Sequence, residues 1–319
     1  MTDRFPLLRL PQNTLQSVLR SMELLDLVMF SFSSDRAKSL VASINLKSRL
    51  TAVVSDSFLI NTNVGEQHFK FQFYYHEVRN GYIPMKMDIP GIVYLHHFIK
   101  GEGKVHVVRK AMDIPSWFSH IKTVFNCSKI LKLQFIYDVG NFDFDSIRES
   151  MIQEDIHKLV VSSKNSDDYN RKIMKTFRNM KFLCLESQTY ENGKPPGEVL
   201  IQNFCRFSVG FYSTAPTTMK LDDILMMNSK NVIIAFSKLT EKDANRFLKF
   251  WIGVDRDTVL KGIKFREVPL EVTRFFNGFD DAIEGGVDVV RKDGTKGTIT
   301  FKGGYMDFYI WHDYCKVEK

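Results

Sequence analysis

The residues of this chain best suited to covalent chemistry lie near its carboxy-terminal end, in WHDYC, where His312 and Cys315 place a base three positions from a thiol. An imidazole beside a thiol can generate a nucleophilic thiolate. Here the pair follows the apolar strand-like segment FYIW, where a packed cysteine and a hydrogen-bonded histidine are the commoner arrangement. Two carboxylate pairs, Asp167-Asp168 and Asp222-Asp223, have the right type for acid–base work. Neighbours on a helix diverge by about 100°, however, so neither pair converges on one substrate atom, and both read as helix-start charges. His96, His97 and His106 are metal-ligand types on strand-like sequence. Adjacent strand residues point to opposite faces, so one ion does not readily take both His96 and His97. GxSxG, HExxH, a strand followed by GxGxxG and the Walker loop are all absent, and DGTKG at 293–297 lacks the Walker spacing. The expectation is a chain with no catalytic residue, metal or cofactor.

Composition narrows the class. The 319 residues are 44% hydrophobic, enough for two or three packing units. Lys and Arg number 44 against 37 Asp and Glu, a net charge of +7, but no run of five like charges occurs. That scatter describes a mildly basic solvated surface rather than a nucleic-acid face. The cysteines at 127, 184, 205 and 315 form no CxxC pair and read as reduced, buried thiols. Asp3, Arg4, Arg9 and Pro11 interrupt any signal-peptide core, and nowhere do eighteen apolar residues run together. A cytoplasmic or nuclear protein with no membrane contact is expected.

Three kinds of element must position whatever surface does the work. After Leu10-Pro11, the residues Leu15, Val18, Leu19 and Met22 form the i, i+3, i+4, i+7 stripe of an amphipathic helix, with proline suited to its start. Leu24, Leu25, Leu27, Val28 and Phe30 supply a second helix, and Ser34 can cap a third carrying Ala37, Leu40, Val41 and Ile44. From 57 to 110 the period changes to two: Phe69, Phe71 and Phe73 alternate with Lys70 and Gln72, and hairpins are expected to turn at Asn63-Val64-Gly65 and Gly101-Glu102-Gly103. Beyond Trp117, strand-like segments begin at 130, 156, 180, 204, 231 and 260, separated by 26, 24, 24, 27 and 29 residues. Helix-like stretches lie between most of them, the clearest being TEKDANRFLKFWI with a Thr240/Asp243 capping pattern. One strand and one helix per 24–29 residues is the period of a degenerate leucine-rich-repeat-like array, with ordinary α/β layering the alternative. VDVVRKDGTKGTITF reads as a hairpin turning at Asp293-Gly294.

Residues 5–44, FPLLRLPQNTLQSVLRSMELLDLVMFSFSSDRAKSLVASI, resemble an F-box through Leu10-Pro11, Leu15, Leu19, Asp26-Leu27 and the Ser34–Val41 segment. The stretch MKLDDILMMNSKNVIIAFSKLTEKDANRFLKFWIGV, 219 to 254, resembles the F-box-associated domain (second type) of a nematode receptor family, through Leu221-Asp222-Asp223, Asn228-Ser229-Lys230-Asn231, Leu239-Thr240, Asp243, Arg246-Phe247-Leu248 and Trp251. The resemblance implies an α+β or α/β chain: an F-box at 5–47, a β-hairpin-rich connection at 57–116 and a substrate-binding region at 117–319 with its core at 190–266. It implies docking on a Skp-type adaptor through Leu10, Pro11, Leu15, Leu19, Leu25 and Leu27, and through that adaptor on cullin and RING subunits. The chain would then be the substrate receptor of an SCF-type ubiquitin ligase. Such a receptor works by raising the effective concentration of an acceptor lysine on an unknown protein target, not by catalysis. The alternative is a free-standing protein-interaction solenoid. Docking calls for Leu10, Leu15 and Leu19 to be exposed in the free chain, whereas a mere cap buries them. Outward phasing of the repeat strands further places Lys132, Lys158, Arg206, Lys264 and Arg266 in one basic row suited to an acidic or phosphorylated segment.

Overall fold

A computed structural model describes residues 7–75, 84–136, 142–162, 165–186, 189–190, 192–210, 216–235, 238–253, 262–266, 286–302 and 305–311. The chain divides into two compact units, one formed by 1–134 with 139–157 and the other by 135–138 with 158–319.

In the first unit a short 3-10 turn, Leu7–Arg9, leads into α1 (Gln12–Ser21), α2 (Leu24–Ser31) and α3 (Asp35–Ala42). Ser34 caps α3, its hydroxyl accepting from the Ala37 N–H at 3.1 Å. Antiparallel strands follow: β1 (Arg49–Val54), β2 (Phe58–Val64), β3 (Gln67–Tyr74), β4 (Ile92–Ile99) and β5 (Glu102–Val108), each paired with the next. Register stacks the inward residues in three rows, Phe58–Phe73–Val93, Ile60–Phe71–Leu95 and Thr62–Phe69–His97. All nine are buried. Helix α4 (Ile114–Val124) lies on this face, with the Trp117 ring 5.4 Å from Phe73 and Phe118 6.0 Å from Phe58. Strand β6 (Ile130–Phe135) begins in this unit, and α5 (Phe144–Met151) belongs to it.

Two details depart from the sequence reading. β1 falls at 49–54, ahead of the expected strand region, because Ala52, Val53 and Val54 are buried against β2 although no turn signal announces them. The second hairpin turns at Lys100-Gly101 rather than at Gly101-Glu102-Gly103. Both central residues take positive φ, 49° and 91°, and Ile99 pairs with Glu102, the geometry of the two-residue turn whose twist matches that of the strands.

The second unit is built from parallel strands in sequence order: β7 (Ile156–Val161), β8 (Phe182–Leu185), β9 (Arg206–Val209), β10 (Asn231–Ala235) and β11 (Gly262–Arg266). Among the described residues one helix lies in each interval: α6 (Asp167–Thr176), α7 (Gly197–Leu200), α8 (Leu221–Leu225) and α9 (Glu241–Gly253). Antiparallel strands β14 (Tyr305–Trp311), β13 (Lys296–Lys302) and β12 (Val287–Val290) then extend the sheet beyond β11. The β12–β13 hairpin turns where expected, with Gly294 at φ 87°. Trp251 on α9 packs edge-on to Phe308 of β14 at 4.9 Å, tying the last helix to the sheet. Helices followed by mixed sheet give the chain an α+β character. Among the described residues no helix is long and apolar enough to cross a membrane.

Candidate functional site

The amino-terminal helices are held as a miniature core. α1 starts at Pro11, whose carbonyl accepts from the Leu15 N–H at 2.9 Å, with no side-chain cap and no acidic residue in the first turn. The regular stripe of α1 turns inward: Leu15 and Leu19 are 2% and 0% exposed. They meet an interior that also holds Leu25, Leu27, Val28, Ala37 and Val41. Of the two arrangements expected, exposure for docking and burial for a cap, Leu15 and Leu19 show the second. The most regular apolar stripe of a short helix is the face it buries first, and the helices share the first unit with α4, against which α3 packs. Leu25 and Leu27 are buried for the same reason. Pro11 is exposed and Leu10 half-buried. The apolar side chains left partly open here include Leu10, Val18, Met22, Leu24, Met29, Phe30 and Leu40.

A latch joins the helices to the sheet they precede. Phe32, which follows α2, stacks flat on the His120 ring of α4 at 4.2 Å and 8°, and lies 5.3 Å from Trp117. Ser31 donates to the Val28 carbonyl at 2.6 Å, which leaves its oxygen to accept from His120 Nε2 at 2.9 Å. Burial pushes the His120 pKa down to about 4, with Lys38 and Lys110 adding to the shift and Asp35 opposing it. Neither Ser31 nor His120 carries a sequence signal; the contact spans 89 positions.

The histidines considered for metal binding are distributed by strand alternation. His97 faces the core, stacked on Phe69 at 4.5 Å and bonded through Nε2 to Gln67 Oε1 at 2.8 Å. His96 lies on the other face, parallel to Phe98. Among the described residues no group of three His, Cys, Asp or Glu side chains is placed to hold a metal ion. His312 and Cys315 lie outside the described residues.

In the second unit Asp223 and Asp243 are structural. Asp223, 6% exposed, accepts from the Lys220 N–H at 2.8 Å and from Lys194 Nζ at 2.9 Å, so it fastens the start of α8 to the preceding loop. Thr240 and Asp243 exchange bonds across the first turn of α9: the Thr240 N–H reaches Asp243 Oδ2 at 3.0 Å and the Asp243 N–H reaches Thr240 Oγ1 at 3.3 Å. Burial raises the Asp243 pKa, but the bonds from Thr240 together with the charges of Arg246 and Lys242 hold the carboxyl below its usual range. Asn231 Nδ2 donates to the Cys205 carbonyl at 2.9 Å, and the Lys230 N–H to Phe204 at 2.9 Å, stitching one strand start to the one before.

Of the basic row, Lys158 and Arg206 do fall in one register line, Lys158–Phe182–Arg206 across β7, β8 and β9. The Arg206 guanidinium sits 5.7 Å from the Phe182 ring centre. Lys132 is half-buried on β6 and already engaged, and the side chains of Lys264 and Arg266 lie outside the described residues.

Comparison with known proteins agrees with both segments. The F-box domain family matches residues 7–49, covering α1 to α3, and the family described as F-box associated matches residues 196–257, from α7 through α9. The chain is 22% identical over 319 residues to the F-box associated domain-containing protein sdz-33 of Caenorhabditis elegans, covering 96% of each chain. No solved structure matches. With an F-box folded at one end and an F-box-associated segment in its later half, this chain has the architecture of the nematode F-box proteins that carry a second-type F-box-associated domain.

Proposed function

We propose that the chain is the substrate-recognition subunit of an SCF-type cullin-RING ubiquitin ligase, with the F-box helices taking a Skp-type adaptor and the second unit taking a protein target. The observation that carries this reading is the F-box match over 7–49, which coincides with a folded three-helix segment. Docking rests on Leu10 and Pro11 at the entrance to α1 and on the partly open Val18 and Leu24, while Leu15, Leu19, Leu25 and Leu27 act by holding the bundle in shape.

Sequential parallel strands, each followed by a helix, support a leucine-rich-repeat-like arrangement of the second unit, because right-handed crossovers between consecutive neighbours put every helix on one face. That leaves the Lys158–Phe182–Arg206 line as a candidate contact for an acidic target segment.

The test is direct binding of the intact chain to a purified Skp-type adaptor, comparing the unaltered protein with Leu10→Asp/Val18→Asp after both are shown to be folded. Tight binding lost in the variant supports the receptor; no binding by the folded, unaltered chain rejects it. Leu15→Asp or Leu19→Asp is unsuitable, since a charge at either position unfolds the bundle whether or not it docks anything. Two observations favour a second reading, a free interaction module without a ligase: Leu15 and Leu19 of α1 are buried, and Phe32 seats on α4, as a capping element does.

A further inference from the structure

α4 packs on one face of the antiparallel sheet in the first unit, and the other face carries rings that stay partly open. Tyr74, Tyr94, His96, Phe98 and His68 form one continuous run over β3 and β4, with successive ring centres 5.2, 6.5, 6.2 and 5.9 Å apart. On β5, the last strand of the sheet, the face continues through Val105 and Val107, 56% and 45% exposed. Apolar surface gathered in this way marks a binding site more than single exposed side chains do. Register also sorts the charges. The three cross-strand rows that pass through His68, Lys70 and Gln72 hold Arg49 and Lys70 and no Asp or Glu. Burial, with Lys70 adding to it, lowers the pKa of both His68 and His96, so these rings are neutral at physiological pH. The basic residues that look scattered along the chain are here brought by strand pairing into one acid-free aromatic face.

We propose that this face binds single-stranded RNA, with unstacked bases lying on Tyr94, His96 and Phe98 and with Lys70 and Arg49 meeting the phosphates. Every base has a π-face, so a sheet carrying open rings among a few cations holds a single strand without needing a particular sequence. A duplex hides its base faces and offers nothing to the rings. An acidic peptide would satisfy the cations but leave the rings without planar partners. Asn61, opposite Lys70, and Gln72, two residues along from it, supply the donors and acceptors that read a 2′-hydroxyl, which selects RNA over DNA. Strands β2 to β5 lie outside both family-matched segments, so the proposal stands apart from adaptor docking.

The experiment is fluorescence anisotropy on the intact chain with a labelled oligoadenylate RNA of about ten nucleotides, set beside DNA of the same sequence, duplex RNA and a polyglutamate peptide. The single-stranded RNA is expected to bind at least about tenfold more tightly than the duplex or the peptide, and more tightly than the DNA. Tyr94→Ala/Phe98→Ala should weaken it by more than about tenfold, whereas Tyr94→Phe, which keeps the stacking surface, should leave it unchanged. With two cations on phosphates, log affinity should fall against log salt with a slope of about −1.4, and Lys70→Gln should reduce that slope by about 0.7. Each variant is first shown to melt as the unaltered chain does, and the salt slope reads phosphate contact independently of stability. No binding by the folded chain, affinity retained in the double variant, or a slope unmoved by Lys70→Gln overturns the platform. Equal binding of the peptide shows a face that reads charge alone and overturns it too, and DNA bound as tightly as RNA overturns the choice of RNA.

Discussion

Acidification should release the His120 latch, and the size of the effect follows from its surroundings. The neutral ring lies flat on Phe32 and donates through Nε2 to Ser31, so a second proton at Nδ1 adds charge in a buried site flanked by Lys38 and Lys110. The folded value of about 4 lies below the ordinary 6.5, so the unfolded chain takes up the proton first. The stability due to the neutral ring is therefore complete above pH 6.5 and is lost as pH falls from 6.5 through 4. At about 1.4 kcal/mol for each pH unit, the loss between pH 7.5 and pH 4.5 is roughly 2.5 kcal/mol. Hydrogen exchange of the 114–124 segment across a urea series reports the opening of this unit specifically. The unaltered protein should lose about 2.5 kcal/mol more over that interval than His120→Gln, which cannot titrate but can still donate to Ser31. Parallel losses in the two proteins would refute the reasoning, because acid sensitivity would then belong to other groups.

Further perturbations probe other parts of the fold. Leu19→Ala should cost about 2–5 kcal/mol by urea unfolding, whereas Val18→Ala, on a partly open position, should cost less than about 1 kcal/mol. Asp223→Ala removes both the acceptor for the Lys220 N–H and the partner of Lys194, and should lower stability by about 1–3 kcal/mol in thermal melts, with Asp222→Ala near neutral. Gly210→Ala meets the Ala235 carbonyl oxygen at 2.0 Å from a backbone at φ 87°, so at least about 2 kcal/mol of destabilisation is expected. Gly65→Ala, at φ 57° with open space around it, should cost only about 1 kcal/mol, read by the same melts.

What the sequence made legible is what short-range physics writes into it. The Asp293-Gly294 turn, the Ser34 cap and the reciprocal Thr240/Asp243 bonds each depend on residues within four positions, and each is present in the fold. The strand starts at 130, 156 and 231 coincide with β6, β7 and β10, since these strands are nearly all apolar on their inner positions. α4 and α7 were not anticipated. The first follows directly on a strand region and opens on an Asp113 cap with Pro115 in its first turn, and the second is a single turn of four residues.

Interaction surfaces were less legible than the fold, because a sequence shows which residues share a face but not which side has a neighbour. The stripe of α1 is the clearest case: Leu15, Val18, Leu19 and Met22 recur at helical spacing, yet Leu15 and Leu19 are sealed while Val18 and Met22 remain partly open. In a long helix a strong apolar stripe with an exposed remainder marks a partner site; in a three-helix segment the bundle claims the strongest part first. The same logic applies to the basic residues. Lys158 and Arg206 follow from counting alternate strand positions, and register does align them, whereas Lys132, at the same phase on β6, is half-buried and already engaged.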